Sequence, residues 1–189
     1  MSNDIYDNEQ WLISIDRISN ELLYHLAEKS DTDEVMESLK TSLEFAVNMI
    51  TKEETQLLFF RFLQGNSFKT LKKTVMVGST KTAAKRTRKL INALKAYTKY
   101  DSGNDYEKDL DFIQEKLGKD ARTVADMLFR RMSKNAIQHS SKIIISQSRL
   151  KRTMLDIEVV CLDNIRLDGF WNVLNTVGKI NRKKSKNNY

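Results

Sequence analysis

Residues 79–97 read STKTAAKRTRKLINALKAY, and this stretch decides the fold. Small or apolar residues recur in it at every third or fourth position, which is the spacing of one face of an α-helix. These residues are Ala83, Thr87, Leu90, Leu94 and Tyr97. The side chains that point away from them are basic, namely Lys81, Lys85, Arg88 and Lys89. The pattern predicts a long helix from about Thr80 to Lys99, with a buried stripe and a basic outer face.

This helix lies in a block of unusual charge. Residues 55–100 contain eleven Lys or Arg and no Asp or Glu, whereas residues 1–54 contain thirteen acids and four bases. The net charge of +7 for the whole chain hides this segregation. A basic surface binds nucleic acid because each neutralised phosphate releases condensed counterions. The block therefore predicts a nucleic-acid-binding surface.

Composition favours an all-α fold of ordinary globular character. The chain has 189 residues, of which 40% are hydrophobic and 30% charged, and it contains no proline. A chain of this length buries one sizeable core or two small ones. Sequence without proline suits long helices and argues against a turn-rich β-sandwich.

Composition also excludes several classes of site. The single cysteine, Cys161, rules out an internal disulfide and a cysteine-based zinc cluster. His25 and His139 lie far apart without the spacing of metal ligands. No apolar run approaches the roughly 18 residues of a membrane span, and the acidic N-terminus differs from a signal peptide. We expect a cytoplasmic protein with no cofactor, no bound metal and no membrane partner.

The segment before the block predicts two amphipathic helices. Apolar residues recur at helical spacing in both. They are Trp11, Ile15, Ile18, Leu22 and Leu26 in the first, and Val35, Met36, Leu39, Leu43, Val47 and Ile50 in the second. We interpret both stripes as packing faces, and a homodimer formed through them is an alternative use.

Signals for helix starts lead from these helices to the basic one. Thr51 and Glu54 have the spacing of a capping box, which predicts a helix that ends near Gly65. Ser67 can cap a short helix, and Ser79 can cap the long basic helix that follows. A short helix, a turn with an apolar residue at Val77 and a longer basic helix form the order of a helix-turn-helix.

Residues 51–98 resemble region 4 of bacterial sigma factors and related helix-turn-helix regulators. That family has an acidic helix start, an aliphatic-rich helix, a Gly-x-Ser-Tyr/Phe corner and a Thr-Val-Lys-Ser-Arg-like recognition helix. The residues that carry the likeness are Ile50 to Glu54, Leu57, Leu58, Phe60 to Phe62, Gly65 to Phe68, Leu71, Val75, Val77 and Thr82 to Arg86. The chain departs from the family at Lys72, where alanine is usual, and at Met76, where glycine is common.

The resemblance implies that the recognition helix binds duplex DNA in the major groove, and in true sigma factors it implies contact with RNA polymerase. Short side chains at the helix start allow close approach to base edges, and flanking cations hold phosphates. We expect base contacts from Ser79, Thr80, Lys81 and Thr82. We expect phosphate contacts from Lys72, Lys73, Lys85, Arg86 and Lys89. Because only about fifty residues precede the motif, in a segment with an excess of acids, we expect a regulator rather than a complete sigma factor.

Residues 101–105 are polar and rich in turn-forming residues, so they predict a linker between two helical modules. The first module is residues 1–100, with the acidic helices and the helix-turn-helix. The second is residues 106–181, and residues 182–189 form a basic tail.

A second acid-free window lies between Asp126 and Asp156, with seven bases. Residues 145–152 are similar to the turn and recognition-helix start of repressor-type helix-turn-helix proteins, which predicts a second such motif at about residues 136–153. Its candidate base contacts are Gln147, Ser148 and Arg149, with Lys151 and Arg152 on phosphates. The alternative is a short β-hairpin of residues 142–146 and 156–161, which are rich in β-branched residues.

No arrangement of residues predicts catalysis, since the chain has no paired carboxylates, no Gly-rich phosphate loop and no Cys/His nucleophile pattern. We expect a sequence-specific transcription regulator that binds double-stranded DNA, through one helix-turn-helix or two in tandem. One alternative is a sigma-like factor, or an anti-sigma or antirepressor protein, that acts through RNA polymerase or another regulator. A further alternative is a phage or plasmid accessory protein of DNA packaging or recombination.

Overall fold

A computed structural model of the chain describes residues 20–27, 33–74, 78–101 and 105–177, apart from the side chains of residues 72 and 74. These residues form helices and connecting turns and contain no β-strand, so the predicted all-α fold is confirmed. The chain divides into two compact units, Met1–Asn104 and Asp105–Tyr189, called here the N-terminal and the C-terminal unit.

The N-terminal unit is built around its longest helix. Its helices are α1 (Asn20–Leu26), α2 (Asp33–Asn48), α3 (Lys52–Leu58), α4 (Phe68–Thr74) and α5 (Thr80–Asp101). Each of the first four packs against α5. The predicted buried stripe of α5 is confirmed, and its least exposed members are Ala83, Leu94 and Tyr97 at 0%. Thr87 joins this stripe because its hydroxyl donates a hydrogen bond to the Ala83 carbonyl at 2.9 Å.

The predicted start and end of the helix before α4 are also observed. The Thr51 hydroxyl accepts from the Glu54 N–H at 3.3 Å, and the Glu54 carboxylate accepts from the Thr51 N–H at 3.1 Å. After Leu58 the helix widens into a π turn, Phe59–Leu63, which the apolar spacing did not predict. Gly65 ends the segment with a φ of +64°, a conformation that glycine adopts at little cost.

In the acidic segment the structure bears out the second predicted stripe in part. Leu43, Val47 and Ile50 are buried, whereas Val35, Met36 and Leu39 are half-buried. Leu22 and Leu26 of the first stripe are buried. Trp11, Ile15 and Ile18 lie outside the described residues.

The C-terminal unit also has one helix that contacts most of the others. Its helices are α6 (Tyr106–Leu117), α7 (Lys119–Phe129), α8 (Lys134–Gln138), α9 (Gln147–Leu162) and α10 (Asp168–Val177), with a 3-10 turn at Ile165–Leu167. The other four α-helices all pack against α9. The rings of Tyr106, Phe129 and Phe170 form the aromatic core, with the last two 5.1 Å apart between centroids.

The structure corrects two expectations in this part of the chain. The β-hairpin alternative is wrong, because residues 156–161 lie inside α9 and residues 142–146 form no strand. The predicted linker of residues 101–105 is shorter than expected at both ends, because Asp101 belongs to α5 and Asp105 caps α6. Residues 102–104 lie outside the described residues.

Candidate nucleic-acid interface

The outward side of α5 carries a group of cations, called here the α5 basic face. Its members are Lys81, Lys85, Arg86, Arg88 and Lys89, and all five are exposed. Lys81, Lys85 and Arg88 follow one another at intervals of four and three residues, so they lie along one side of the helix. None of the five forms an ion pair with a carboxylate of the described residues. No ion pair within the described part of the chain therefore offsets the positive charge of this surface.

The N-terminus of α5 is closed by Ser79. Its hydroxyl accepts a hydrogen bond from the Thr82 N–H at 3.1 Å and lies 2.9 Å from the Thr82 hydroxyl. Ser79 and Thr82 are both half-buried, while Thr80 and Lys81 are exposed. Of the four residues expected to contact bases, Thr80 and Lys81 are thus the most accessible, and Ser79 serves as the helix cap. The positive end of the helix dipole lies at the same place.

The helix α4 precedes α5 and packs against it, and Leu71 of α4 is 0% exposed. Ser67 caps α4 as predicted, since its hydroxyl accepts from the Thr70 N–H at 3.2 Å. Lys73 of the candidate phosphate contacts is exposed, as is Lys69 one turn before it. The side chain of Lys72, another candidate, lies outside the described residues.

Arg61 of the π turn contacts residues of both α1 and α4. Its guanidinium binds the Glu21 carboxylate at 2.7 Å and lies 5.1 Å from the centre of the Phe68 ring and 5.4 Å from that of Phe62. A cation over an aromatic face is attracted by the ring quadrupole. Arg61 is thus a structural cation that positions the first turn of α4 rather than part of the exposed basic surface.

The second acid-free window has a different geometry. The short helix α8 has five residues, and eight residues separate it from α9. A helix-turn-helix has a turn of three or four residues, so the connection is longer than the predicted motif requires. Ile143 and Ile145 of this connection are each 7% exposed and anchor it to the unit. Ser146 caps α9 by accepting from the Arg149 N–H at 3.3 Å.

The candidate DNA contacts of this window are exposed, but the two arginines among these contacts have acidic partners. Arg149 binds Asp120 at 2.8 Å, and Arg152 binds Asp156 at 3.4 Å. Gln147, Ser148 and Lys151 are exposed in the first turns of α9. Two of the five candidate contacts therefore form ion pairs within the same unit.

Two exposed cations on these surfaces are not among the predicted DNA contacts. Arg88 lies seven residues after Lys81 on the α5 basic face, and Lys69 is exposed on α4 beside Lys73. The seven-residue spacing placed Arg88 on the outer face of the helix. Nothing in the local pattern distinguished Lys69 from a solvated surface lysine.

The residues considered for chemistry have structural surroundings. The thiol of Cys161 is 0% exposed, and burial, aided by the charges of Asp109 and Glu158, raises its pKa to about 12. The ring of His25 packs edge-on against Phe62, with centroids 5.9 Å apart. Nδ1 of His139 lies 2.8 Å from the Asn135 carbonyl at the end of α8.

Within the described ranges, no group of three or more His, Cys, Asp or Glu side chains is arranged to hold a metal ion. None of the helices described above has both the length and the apolar character of a membrane span. Comparison of the chain with protein families, with curated proteins and with solved structures finds no match.

Proposed function

We propose that the chain is a sequence-specific regulator that binds duplex DNA through α4 and α5. The observation that carries this proposal is the α5 basic face, a set of five exposed cations on one helix that no carboxylate of the described residues neutralises. Such a surface gains affinity from counterion release at each phosphate that it contacts.

The arrangement of α5 suits the major groove of B-DNA, which is about 12 Å wide and admits one α-helix. The opposite side of α5 is held by four other helices, so the helix is rigid while its basic face stays accessible. Thr80 and Lys81 in its first turn are the side chains best placed for base edges. Lys85, Arg86 and Lys89 lie farther along and would bind phosphates, together with Lys72 and Lys73 of α4. The positive end of the helix dipole at the start of α5 would add to phosphate binding.

The resemblance of residues 51–98 to sigma region 4 supports the same use of α5. The order of elements agrees with it: a capped helix, a short helix α4 and a long basic helix α5. The resemblance to sigma factors also suggests an alternative, in which the chain acts together with RNA polymerase. Copurification of the tagged chain with core polymerase, tested in the presence of nuclease, separates a polymerase-dependent factor from an independent DNA-binding regulator.

A titration of labelled duplex DNA at several salt concentrations tests the proposal. Lys81→Ala combined with Lys85→Ala removes two phosphate or base contacts, so we expect affinity to fall by a factor of ten or more. The slope of log affinity against log salt should become shallower by about 2. Both effects follow from the loss of two cations at the contact surface.

The matched control is Lys108→Ala combined with Lys119→Ala, two exposed lysines of the C-terminal unit. This variant loses the same net charge but leaves α5 intact, and we expect a slope within experimental error of the original. Equal effects of the two double variants would mean that net charge alone drives binding. An unchanged affinity in the α5 variant would remove α5 from the contact surface.

The recognised sequence can be obtained by selecting bound sites from a random duplex library. A palindrome would indicate a dimer with one α5 on each half-site. Two unlike half-sites in one selected sequence would instead indicate tandem modules within one chain. Enrichment of no sequence would replace specific regulation by nonspecific binding, as in a packaging protein.

A further inference from the structure

The solvent side of α9 carries three large apolar side chains in a row, called here the α9 apolar stripe. Leu155 is 56% exposed, Val159 55% and Leu162 59%. They follow one another at intervals of four and three residues, so they lie along one face of the helix. Ile165, in the 3-10 turn that follows, is 88% exposed.

This stripe differs from the apolar residues that α9 buries. Leu150, Met154, Ile157 and Cys161 face the core of the unit and are at most 4% exposed. Of the six large hydrophobic side chains that are exposed among the described residues, four belong to the stripe or to Ile165. Single exposed apolar residues are ordinary, but a contiguous apolar row marks an interaction surface.

The charges beside the stripe indicate what kind of surface fits it. The first half of α9 contains Arg149, Lys151 and Arg152 and no acid, whereas its second half and its cap contain Asp156, Glu158 and Asp163 and no base. A second copy of the helix laid antiparallel brings the basic half of each against the acidic half of the other. A parallel copy would place like charges together.

The positions along the helix agree with the antiparallel arrangement. When Leu155 of one copy lies beside Leu162 of the other, Val159 lies near Val159 at the centre. At about 100° per residue, Arg152 and Asp163 lie on the same flank of the stripe. Arg152 of each copy then lies within about 3 Å, along the helix axis, of Asp163 of the other. Arg152 already reaches along the helix to Asp156, so its side chain extends on this flank.

We propose that α9 is a self-association surface, on which a second copy of the chain packs antiparallel through Leu155, Val159 and Leu162. The inference rests on the exposure and charge pattern of α9 and does not depend on DNA binding. One helix from each copy is small beside the roughly 800 Å² per partner of a standard interface. We therefore expect a dissociation constant on the order of 10 µM.

Sedimentation velocity of the full chain from 1 to about 200 µM tests the proposal. The original chain should change from monomer to dimer across this range. Val159→Lys puts two charges at the centre of the interface, and the dimer should weaken by a factor of ten or more. Lysine is a good helix former at an exposed position, so the helix content measured by circular dichroism should not change. Asn172→Lys, at an exposed site on α10, is the matched control and should dimerise as the original does.

A charge exchange tests the antiparallel direction. Asp163→Arg places two cations together at each end of the interface and should weaken the dimer several-fold. Adding Arg152→Glu to the same chain restores opposite charges across the interface and should recover the original dissociation constant. A double variant weaker than Asp163→Arg would exclude the antiparallel arrangement.

Two results would overturn the proposal as a whole. One is a monomer at every concentration, whether the stripe is then covered by residues 178–189 of the same chain or meets a different protein. The other is a dimer that Val159→Lys leaves unchanged, since the interface would then lie elsewhere, for example on the N-terminal helices. Neither result bears on the DNA titrations of Lys81 and Lys85.

Discussion

The helices α5 and α9 occupy similar places in their units but expose different chemistry. Each contacts the other four α-helices of its unit, begins after a capping serine, and is basic in its first half. The five cations of the α5 basic face have no carboxylate partners among the described residues. On α9 both arginines of the first turns are paired, and the second half exposes apolar side chains.

The difference teaches that an acid-free window in a sequence is not the same as an unneutralised surface. The window of α5 is long enough that no acid of the described residues reaches the basic face. The window around α9 ends at Asp156, one turn beyond Arg152, and Asp120 of α7 reaches Arg149 from outside it. We therefore propose DNA binding for α5 first and protein contact for α9.

The largest expected difference between the two helices is the loss of stability when a leucine of each is replaced by alanine. Leu94 of α5 is 0% exposed, so Leu94→Ala leaves a cavity and should lower the free energy of unfolding of its unit by about 2–5 kcal/mol. Leu155 of α9 is 56% exposed, and Leu155→Ala should change stability by about 0.5 kcal/mol or less.

Hydrogen exchange read by mass spectrometry on peptides of each unit measures both changes, because it reports local opening free energies. Each variant is the control for the other. A Leu155→Ala variant as destabilised as Leu94→Ala would mean that the stripe is covered in the isolated chain. That result would remove the exposed surface on which self-association depends.

Removing the two capping serines should have a smaller effect. The two variants should lose the same free energy of unfolding but differ in DNA affinity. Ser79→Ala and Ser146→Ala each remove a hydroxyl that accepts a backbone N–H, and each should cost about 1 kcal/mol in its unit. Ser79→Ala should also lower DNA affinity several-fold, because fraying loosens the turn that holds Thr80 and Lys81. Ser146→Ala should leave DNA affinity unchanged, and DNA titration of both variants checks this. Equal losses of affinity would place α9 on the DNA as well.

The smallest expected effect belongs to the ion pair between Arg149 and Asp120. Their side chains are 66% and 46% exposed, so solvent screens the pair, and Asp120→Ala should change stability by about 1 kcal/mol or less. The substitution frees Arg149 on the first turn of α9. We expect DNA affinity to change less than twofold. A rise of severalfold that Arg149→Ala reverses would make α9 a second DNA-binding helix, as the sequence first predicted.

Much of the fold could be predicted from the sequence because local signals and periodicity agree. The capping box of Thr51 and Glu54, the Ser67 cap and the buried stripe of α5 are all observed. The π turn at Phe59–Leu63 could not be predicted, since the apolar spacing continues through it and its Arg61 pairs with Glu21, 40 positions away in the sequence. The β-hairpin alternative was wrong because β-branched residues near 157–160 pack as one helix against α6, α7 and α10.

The sequence by itself determined that the chain is helical and that its charge is segregated, because periodicity and composition need no partner to be visible. It also determined the cations of α5, since no acid lies near them along the chain. Only the tertiary structure decided which charges stay free and which apolar residues stay outside. Arg149 forms an ion pair with Asp120, which is 29 residues away in the sequence. Leu155 is an apolar residue of an amphipathic helix, yet the packing of α9 leaves it exposed to solvent. Pairing and burial are properties of neighbours in space, and a linear pattern does not specify those neighbours.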